Sequence, residues 1–317
     1  MPGGRVTASS RVFVIGPYVA NGGMFMAYHL GRILSRDFGL RVFAVTARGE
    51  TPDASPFDYD PVFESVNLEQ MARMATANDV VIANPSFSRF NLGLTSPALK
   101  IMYVQHFNTF RTLDLGFDHY VSVSEVVRDF LSTVWGVETP IIAPFVDVGV
   151  VPAPPWAERP AGSIAIARKG DMRQQLLILD RLRRAIAPRL PHIQLDGVLA
   201  RASRREFLGR IGAARHLLSL SVAEGFGLAP LEAMALGTTV IGFDALGGRD
   251  YMRPGVNCEA AAYPDIDGLA AGLVQALGNP AHAEALARAG QATAAEYSYE
   301  RFRLAWRTAF AGWFGWS

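Results

Sequence analysis

Two carboxylates, Glu224 and Glu232, stand eight positions apart in the stretch SLSVAEGFGLAPLEAMALGTTVIGFDALGG, which runs from residue 219 to 248. Between them lies a glycine-broken loop, Gly225-Phe226-Gly227, followed by Leu228, Ala229 and Pro230. Apolar runs at 218–222 and 238–243 predict buried strands on either side. A helix is predicted from Ala229 through Leu236, stopping at Gly237, with Pro230 in the first turn, where its missing N–H costs nothing. A strand, a glycine loop and a helix start together make an anion site, because unpaired N–H groups and the positive end of the helix dipole face the loop. Gly225 and Gly227 let that backbone approach a ligand closely. Carboxylates accept hydrogen bonds from vicinal hydroxyls. The stretch therefore suits a molecule with phosphate at its centre and a hydroxylated sugar at each end, the layout of a nucleotide-sugar.

Elements elsewhere in the chain must position this chemistry. Strands are predicted at 11–16, 41–46, 79–83, 100–104, around 117–123, at 140–147, 163–167 and 193–197. Between them, apolar residues recur at helical spacing over 24–38, 67–77, 171–190 and 203–211. Leu176, Leu177, Leu179, Leu182 and Ile186 are expected to form most of the apolar face of the third of these. Ser122 or Ser124 caps a helix after the 117–123 strand. Gly22 and Gly23 follow the first strand, at the carboxyl end where open α/β sheets bind ligands. Glycines at 16, 22 and 23 do not give the G-x-G-x-x-G spacing, which disfavours a hydride-transfer enzyme. His106 falls just past another strand's carboxyl end, at the expected mouth of a cleft. Arg168 and Lys169 follow the strand at 163–167.

The string EGFGLAPLEAMALG, with Glu224 and Glu232 at the ends of its E-x7-E and Gly247-Gly248 after it, resembles the signature of the retaining, nucleotide-sugar-dependent glycosyltransferases of family four. The resemblance implies GT-B architecture: two Rossmann-like domains facing a central cleft, with the last helix crossing back to the first domain. On that plan residues 1–150 form the acceptor domain, together with the C-terminal helix 299–317. Residues 151–162, rich in proline, are a stiff linker, and 163–298 form the donor domain. The implied roles are ribose binding by Glu232, sugar hydroxyls on Glu224, and a backbone cradle from Gly225, Phe226, Gly227, Leu228 and Ala229. Arg168 and Lys169 would neutralise the diphosphate, Gly22 and Gly23 approach the donor phosphate and acceptor, and His106 stabilise charge near the anomeric carbon. Two features depart from the family: Arg168 and Lys169 are adjacent where its cations are usually several residues apart, and Asp250 stands where a Glu commonly closes the loop. No metal and no cofactor are expected, since fixed cations and dipoles stabilise the leaving group. Asp58-Tyr59-Asp60 matches a D-x-D metal motif only literally.

Composition excludes several classes. Of the 317 residues half are hydrophobic and 19% charged, and the net charge is +1, so no nucleic-acid footprint is expected. A single cysteine, Cys258, forbids an intrachain disulfide and fits a reducing compartment. No signal peptide and no transmembrane run are read, so a cytoplasmic protein is expected. Aromatic residues 302, 306, 310 and 314 share one face of the tail helix. Their expected role is packing between domains; contact of Trp313 and Trp316 with the inner face of a membrane, or with a partner, is the alternative. The expected partners are a nucleotide-sugar donor and a glycan or lipid-linked acceptor, with the base, sugar, acceptor and oligomeric state undetermined. A non-catalytic GT-B-like protein that binds sugar nucleotide or glycan stays open as a second reading. A pyridoxal-type phosphorylase is weaker, because Lys100 and Lys169 are the only lysines.

Overall fold

In a computed structural model, which describes residues 6–16, 21–46, 63–149, 151–167, 170–196 and 203–315, the chain divides into two compact units. One comprises Met1–Phe145 with Glu300–Ser317, the other Val146–Tyr299. Both are α/β, and every strand pairing between elements is parallel.

The first unit places β1 (Arg11–Ile15), α1 (Gly22–Phe38), β2 (Arg41–Thr46), β3 (Glu64–Asn67), α2 (Leu68–Met74), β4 (Val80–Ala83), α3 (Leu92–Thr95), β5 (Leu99–Val104), β6 (His119–Ser122) and α4 (Glu125–Phe130) in sequence. Its sheet order is β3-β2-β1-β4-β5-β6. The order reverses between β1 and β4, the kind of switch point at which open α/β sheets bind ligands beyond the strands' carboxyl ends. Continuous burial of β1, β4 and β5 is what a sheet covered on both faces requires.

α10 (Tyr299–Phe314) belongs almost wholly to this first unit. Phe302 packs on Phe145, Trp306 on Tyr103 and Phe310 on Phe38. Arg303 pairs with Asp37 at 2.8 Å. Trp313 stacks on His119 with ring centroids 4.2 Å apart, so its face is already occupied within the unit.

The second unit runs β7 (Ile164–Ala167), α5 (Met172–Ile186), α6 (Arg204–Ala213), β8 (His216–Ser219), α7 (Leu228–Ala235), β9 (Thr239–Phe243), β10 (Glu259–Ala261), α8 (Ile266–Gly278) and α9 (Pro280–Ala295). Its strand order is β10-β9-β8-β7. Ile166, Leu218, Ile241 and Phe243 from the sheet meet Leu179, Leu182, Leu269 and Leu273 from α5 and α8 in its core.

Several expectations are corrected. The segment 140–147 makes only a single bridge, Ser122 to Ile141; Pro140 and Pro144 lack the N–H groups that a ladder needs. No strand forms over 193–196, among the described residues, because the Leu195 carbonyl accepts from Arg183 Nη2 at 2.7 Å instead of from a neighbouring strand. β8 begins at His216 and ends at Ser219, short of the predicted 222. His216 can occupy a buried strand because burial and Arg215 push its pKa down to about 4, leaving the ring neutral. On α5 the buried face is Gln175, Ile178, Leu179, Leu182 and Ile186, whereas Leu176 and Leu177 point to solvent. Ser124 is the cap of α4, its side chain accepting from the Val127 N–H.

The proline-rich segment 151–162 belongs to the second unit and is fastened there chiefly by Arg159. Arg159 is buried and donates to the carbonyls of Pro154, Ala214 and Leu236 and to the Thr238 hydroxyl. Trp156 adds bonds from Nε1 to Arg215 O at 3.1 Å and Thr239 Oγ1 at 3.0 Å. Arg159→Met fills the space but strands four acceptors. Thermal denaturation is expected to show a loss of about 2 kcal/mol, a Tm lower by about 4–8 °C. An unchanged Tm would show that water replaces the guanidinium without cost.

Candidate active site

The loop between β8 and α7 is built by two backbone strands crossing at glycine. Glu224 N–H donates to Ala245 O at 2.8 Å, and Gly247 N–H returns to Glu224 O at 3.1 Å. At the crossing, a Cβ on Gly247 would lie 2.4 Å from the carbonyl carbon and oxygen of Gly225 and 2.5 Å from Phe226 N. Only glycine fits there. Leu246, just before it, has φ 66° and ψ −65°, and Gly247 N–H also bonds Ala245 O at 2.9 Å. This is a γ-turn of the rare, strained hand, of a kind that clusters at ligand sites.

Gly227 is the N-cap of α7 at φ 87°, a left-handed conformation that favours glycine, and no side chain caps the helix. Pro230 in the first turn has no N–H, so the N–H groups of Gly227, Leu228 and Ala229 head the helix. The predicted glycine loop and helix start are therefore in place. Beneath them, Phe226, Tyr251 and Tyr297 form a ring cluster with centroids 5.3 to 5.9 Å apart. The Tyr251 hydroxyl donates to the Gly227 carbonyl. Burial lifts the Tyr251 pKa well above the phenol range, so the hydroxyl stays a donor.

Glu224 is buried at the loop's start, and its main chain fixes the crossing just described. Glu232 sits further along α7, its side chain 13% exposed. Burial raises its pKa from 4.5 to about 7; Arg204 lowers it and Asp147 raises it. The carboxylate thus lies in a covered, poorly solvated position, where a hydroxyl donor would be bound strongly.

In the first unit, α1 starts two residues earlier than predicted. Asn21 Oδ1 accepts from Met24 N–H at 2.8 Å, so Gly22 and Gly23 form the helix's first turn rather than the preceding loop. Gln105 Nε2 donates to Gly23 O at 2.8 Å, tying the carboxyl end of β5 to that turn. His106 follows. Its Nδ1 accepts from the N–H groups of Phe107 and Asn108 at 3.1 and 3.3 Å, which puts the ring proton on Nε2. A Cβ at Gly23 would meet Gln105 Oε1 at 2.5 Å, but that amide is the end of a flexible side chain. Gly23→Ala is therefore expected to cost only about 1 kcal/mol in stability and about tenfold in turnover. A fall beyond about 10²-fold would mean that the glycine backbone itself touches substrate.

The structure brings together Glu224, Gly225, Phe226, Gly227, Leu228, Ala229 and Glu232 in the second unit. In the first it brings together Gly22, Gly23 and the His106 segment. Arg168, Lys169, the Asp58-Tyr59-Asp60 motif and Trp316 lie outside the described residues. Sequence reasoning missed Gln105, Arg204 and Tyr251. Of these only Tyr251 had a local signal, a phenol three residues past Gly248 that needs a partner once buried. His29 packs edge-on against Phe25 and Phe145 within the first core. Lys100 Nζ donates to Ala98 O at 3.0 Å and pairs with Asp118 at 3.1 Å, a structural role. Cys258 is buried, and burial pushes its thiol up to about 12.

Residues 202–293 match the family model for glycosyl transferases group 1. No curated protein sequence matches the chain. Among solved structures, HepE of Anabaena, in complex with UDP and glucose, is similar with a TM-score of 0.74 at 12% identity, over 96% of this chain and 100% of that one. Sucrose-phosphate synthase from Thermosynechococcus elongatus gives 0.71 at 15% identity, over 97% and 100%. TarM of S. aureus gives 0.62 at 15% identity over 76% of this chain, which spans 57% of the TarM chain. These likenesses establish a shared fold: two Rossmann-like α/β domains of the GT-B kind.

Proposed function

We propose that this chain, a glycosyltransferase by its group 1 domain, moves a sugar from a nucleoside-diphosphate donor to a glycan or lipid-linked acceptor. The observation that carries the reading is the second unit's site: a helix start with three uncapped N–H groups beside a buried carboxylate, Glu232, on the same short helix. Phosphate fits the N–H groups, and ribose hydroxyls fit the carboxylate. Bound UDP in HepE and TarM supports the nucleotide class.

In this reading Glu232 holds the ribose, and Gly225 to Ala229 cradle phosphate and sugar. Glu224 receives sugar hydroxyls. Arg168 and Lys169 neutralise the diphosphate as it leaves, an assignment resting on sequence alone. His106 stabilises charge near the anomeric carbon. Gly22 and Gly23 border the acceptor. Stabilisation by fixed dipoles and cations makes transfer independent of divalent metal, and the family resemblance implies retention of anomeric configuration. The protein works without a cofactor.

The test is incubation with UDP-, GDP-, ADP- and dTDP-sugars, with release of nucleoside diphosphate followed and the product's anomeric configuration read by NMR. Release from one of them, unaffected by chelator, is expected. Binding without release would favour a non-catalytic sugar-nucleotide binder. Absence of both binding and release would overturn the proposal.

A further inference from the structure

Glu232 has a charged neighbour. Arg204, the first residue of α6, brings Nη2 to 3.7 Å from Glu232 Oε1, and the same nitrogen donates to the Asp147 carbonyl. The two side chains are only 12% and 13% exposed. Ion pairs at the surface contribute little because solvent screens them and the side chains wander. This pair is covered and fixed at both ends. A reciprocal capping box between Ser203 and Glu206 sets the α6 start, so Arg204 projects from an anchored backbone. Glu232 in turn lies on α7, whose start is held by the Gly227 carbonyl and Tyr251 hydroxyl.

We propose that Arg204 is a positioning residue for donor capture: it holds one oxygen of Glu232 and aims the other at the ribose, making binding depend on the 2′- and 3′-hydroxyls. The inference rests on the role given to Glu232 above. A carboxylate with one oxygen turned to a guanidinium has a set orientation, and its remaining lone pairs form a two-hydroxyl receptor. A 2′-deoxyribose leaves that receptor one donor short in a covered site. Sites built around a substrate hydroxyl discriminate strongly against analogues lacking it.

Two charges act on Glu232, and a neutral phenol lies nearby. Arg204 on α6 favours the carboxylate, Asp147 before β7 opposes it, and Tyr251 behind the loop stays a neutral phenol. Removing the Arg204 charge leaves burial and Asp147 unopposed. The pH at which donor affinity is half-lost should then rise.

The experiment is calorimetric titration of wild type, Arg204→Gln and Arg204→Lys with UDP, GDP, ADP and their 2′-deoxy counterparts between pH 6 and 9. Glutamine removes the charge and keeps an uncharged polar side chain at the start of α6, although it is too short to reach the Asp147 carbonyl as Nη2 does. Wild type is expected to prefer the ribonucleotide by about tenfold or more. In Arg204→Gln that ratio should fall to about threefold or less, with the pH midpoint of binding raised by about one unit. Arg204→Lys should keep the midpoint while losing part of the ratio. If Arg204→Gln weakens ribo and deoxy nucleotides alike with an unmoved midpoint, Arg204 only braces the fold and the inference fails. Should Arg204→Gln not fold, the ratio in Arg204→Lys decides: a fall of about threefold or more supports the inference, and an unchanged ratio overturns it. If wild type binds none of the three diphosphates, the functional reading fails and takes the inference with it, a result distinct from any change between variants.

Discussion

Glu232→Ala is expected to lower affinity for the donor nucleotide by about 10²-fold, with the loss carried mainly in donor KM. Hydrogen bonds to a charged acceptor contribute about 1.5–3 kcal/mol each, and the alanine removes an acceptor from a covered site. The ionisation of Glu232 supplies a second readout. Its pKa in the folded protein is raised from 4.5 to about 7 by burial, so the native state holds a proton between those values that the unfolded chain has released. Stability from this group is thus full below about 4.5 and is lost as pH rises through 7. Glu232→Gln should melt about 2–4 °C above wild type at pH 8, with the difference closing toward pH 4.5. Wild-type donor affinity, in turn, should weaken as pH falls below 7 and the acceptor is protonated. A site that costs stability in its working form is the pattern expected where function sets the residue. Unchanged donor affinity in the alanine variant would remove Glu232 from the site.

Gly247→Ala carries the other large effect. Its Cβ would sit 2.4 Å from main-chain atoms of Gly225, and backbone cannot swing aside as a side chain can. The two crossing strands must separate by about an ångström, and the N–H groups of the cradle shift with them. Misplacement on that scale costs about 10²-fold in rate, and overpacking adds about 1–3 kcal/mol of destabilisation. Gly209→Ala is the control. It lies within α6 with nothing within 4 Å of the added methyl, and should be neutral or slightly stabilising. Equal activity of both variants would show that the Gly225–Gly247 crossing does not position the cradle.

Local chemistry was readable in the sequence wherever one short segment specified it. Glycine at 227 and proline at 230 announce a strand–loop–helix turn because each constraint acts within a few residues. Caps at Asn279, Asp265 and Ser203 follow the same logic, with side chains that accept from N–H groups three residues on. What escaped depends on partners distant in sequence. Arg204 meets Glu232 across 28 positions and Gln105 meets Gly23 across 82, separations that no periodicity encodes. The four acceptors around Arg159 come from three separate segments, at Pro154, Ala214 and Leu236 to Thr238. The missing strand over 193–196 is the same lesson in reverse: its alternation was strand-like, and a side chain of α5 took the carbonyl that a neighbouring strand needed. Gly247 was noticed for its type, but the backbone it crosses explains why nothing larger fits.

The most direct measurement is a crystal structure with the nucleoside diphosphate that binds best. Ribose hydroxyls within about 2.7 Å of the Glu232 carboxylate, and a phosphate against the N–H groups of Gly227, Leu228 and Ala229, are the predicted result. A nucleotide bound elsewhere, or in this loop with its ribose turned away from Glu232, would contradict the account.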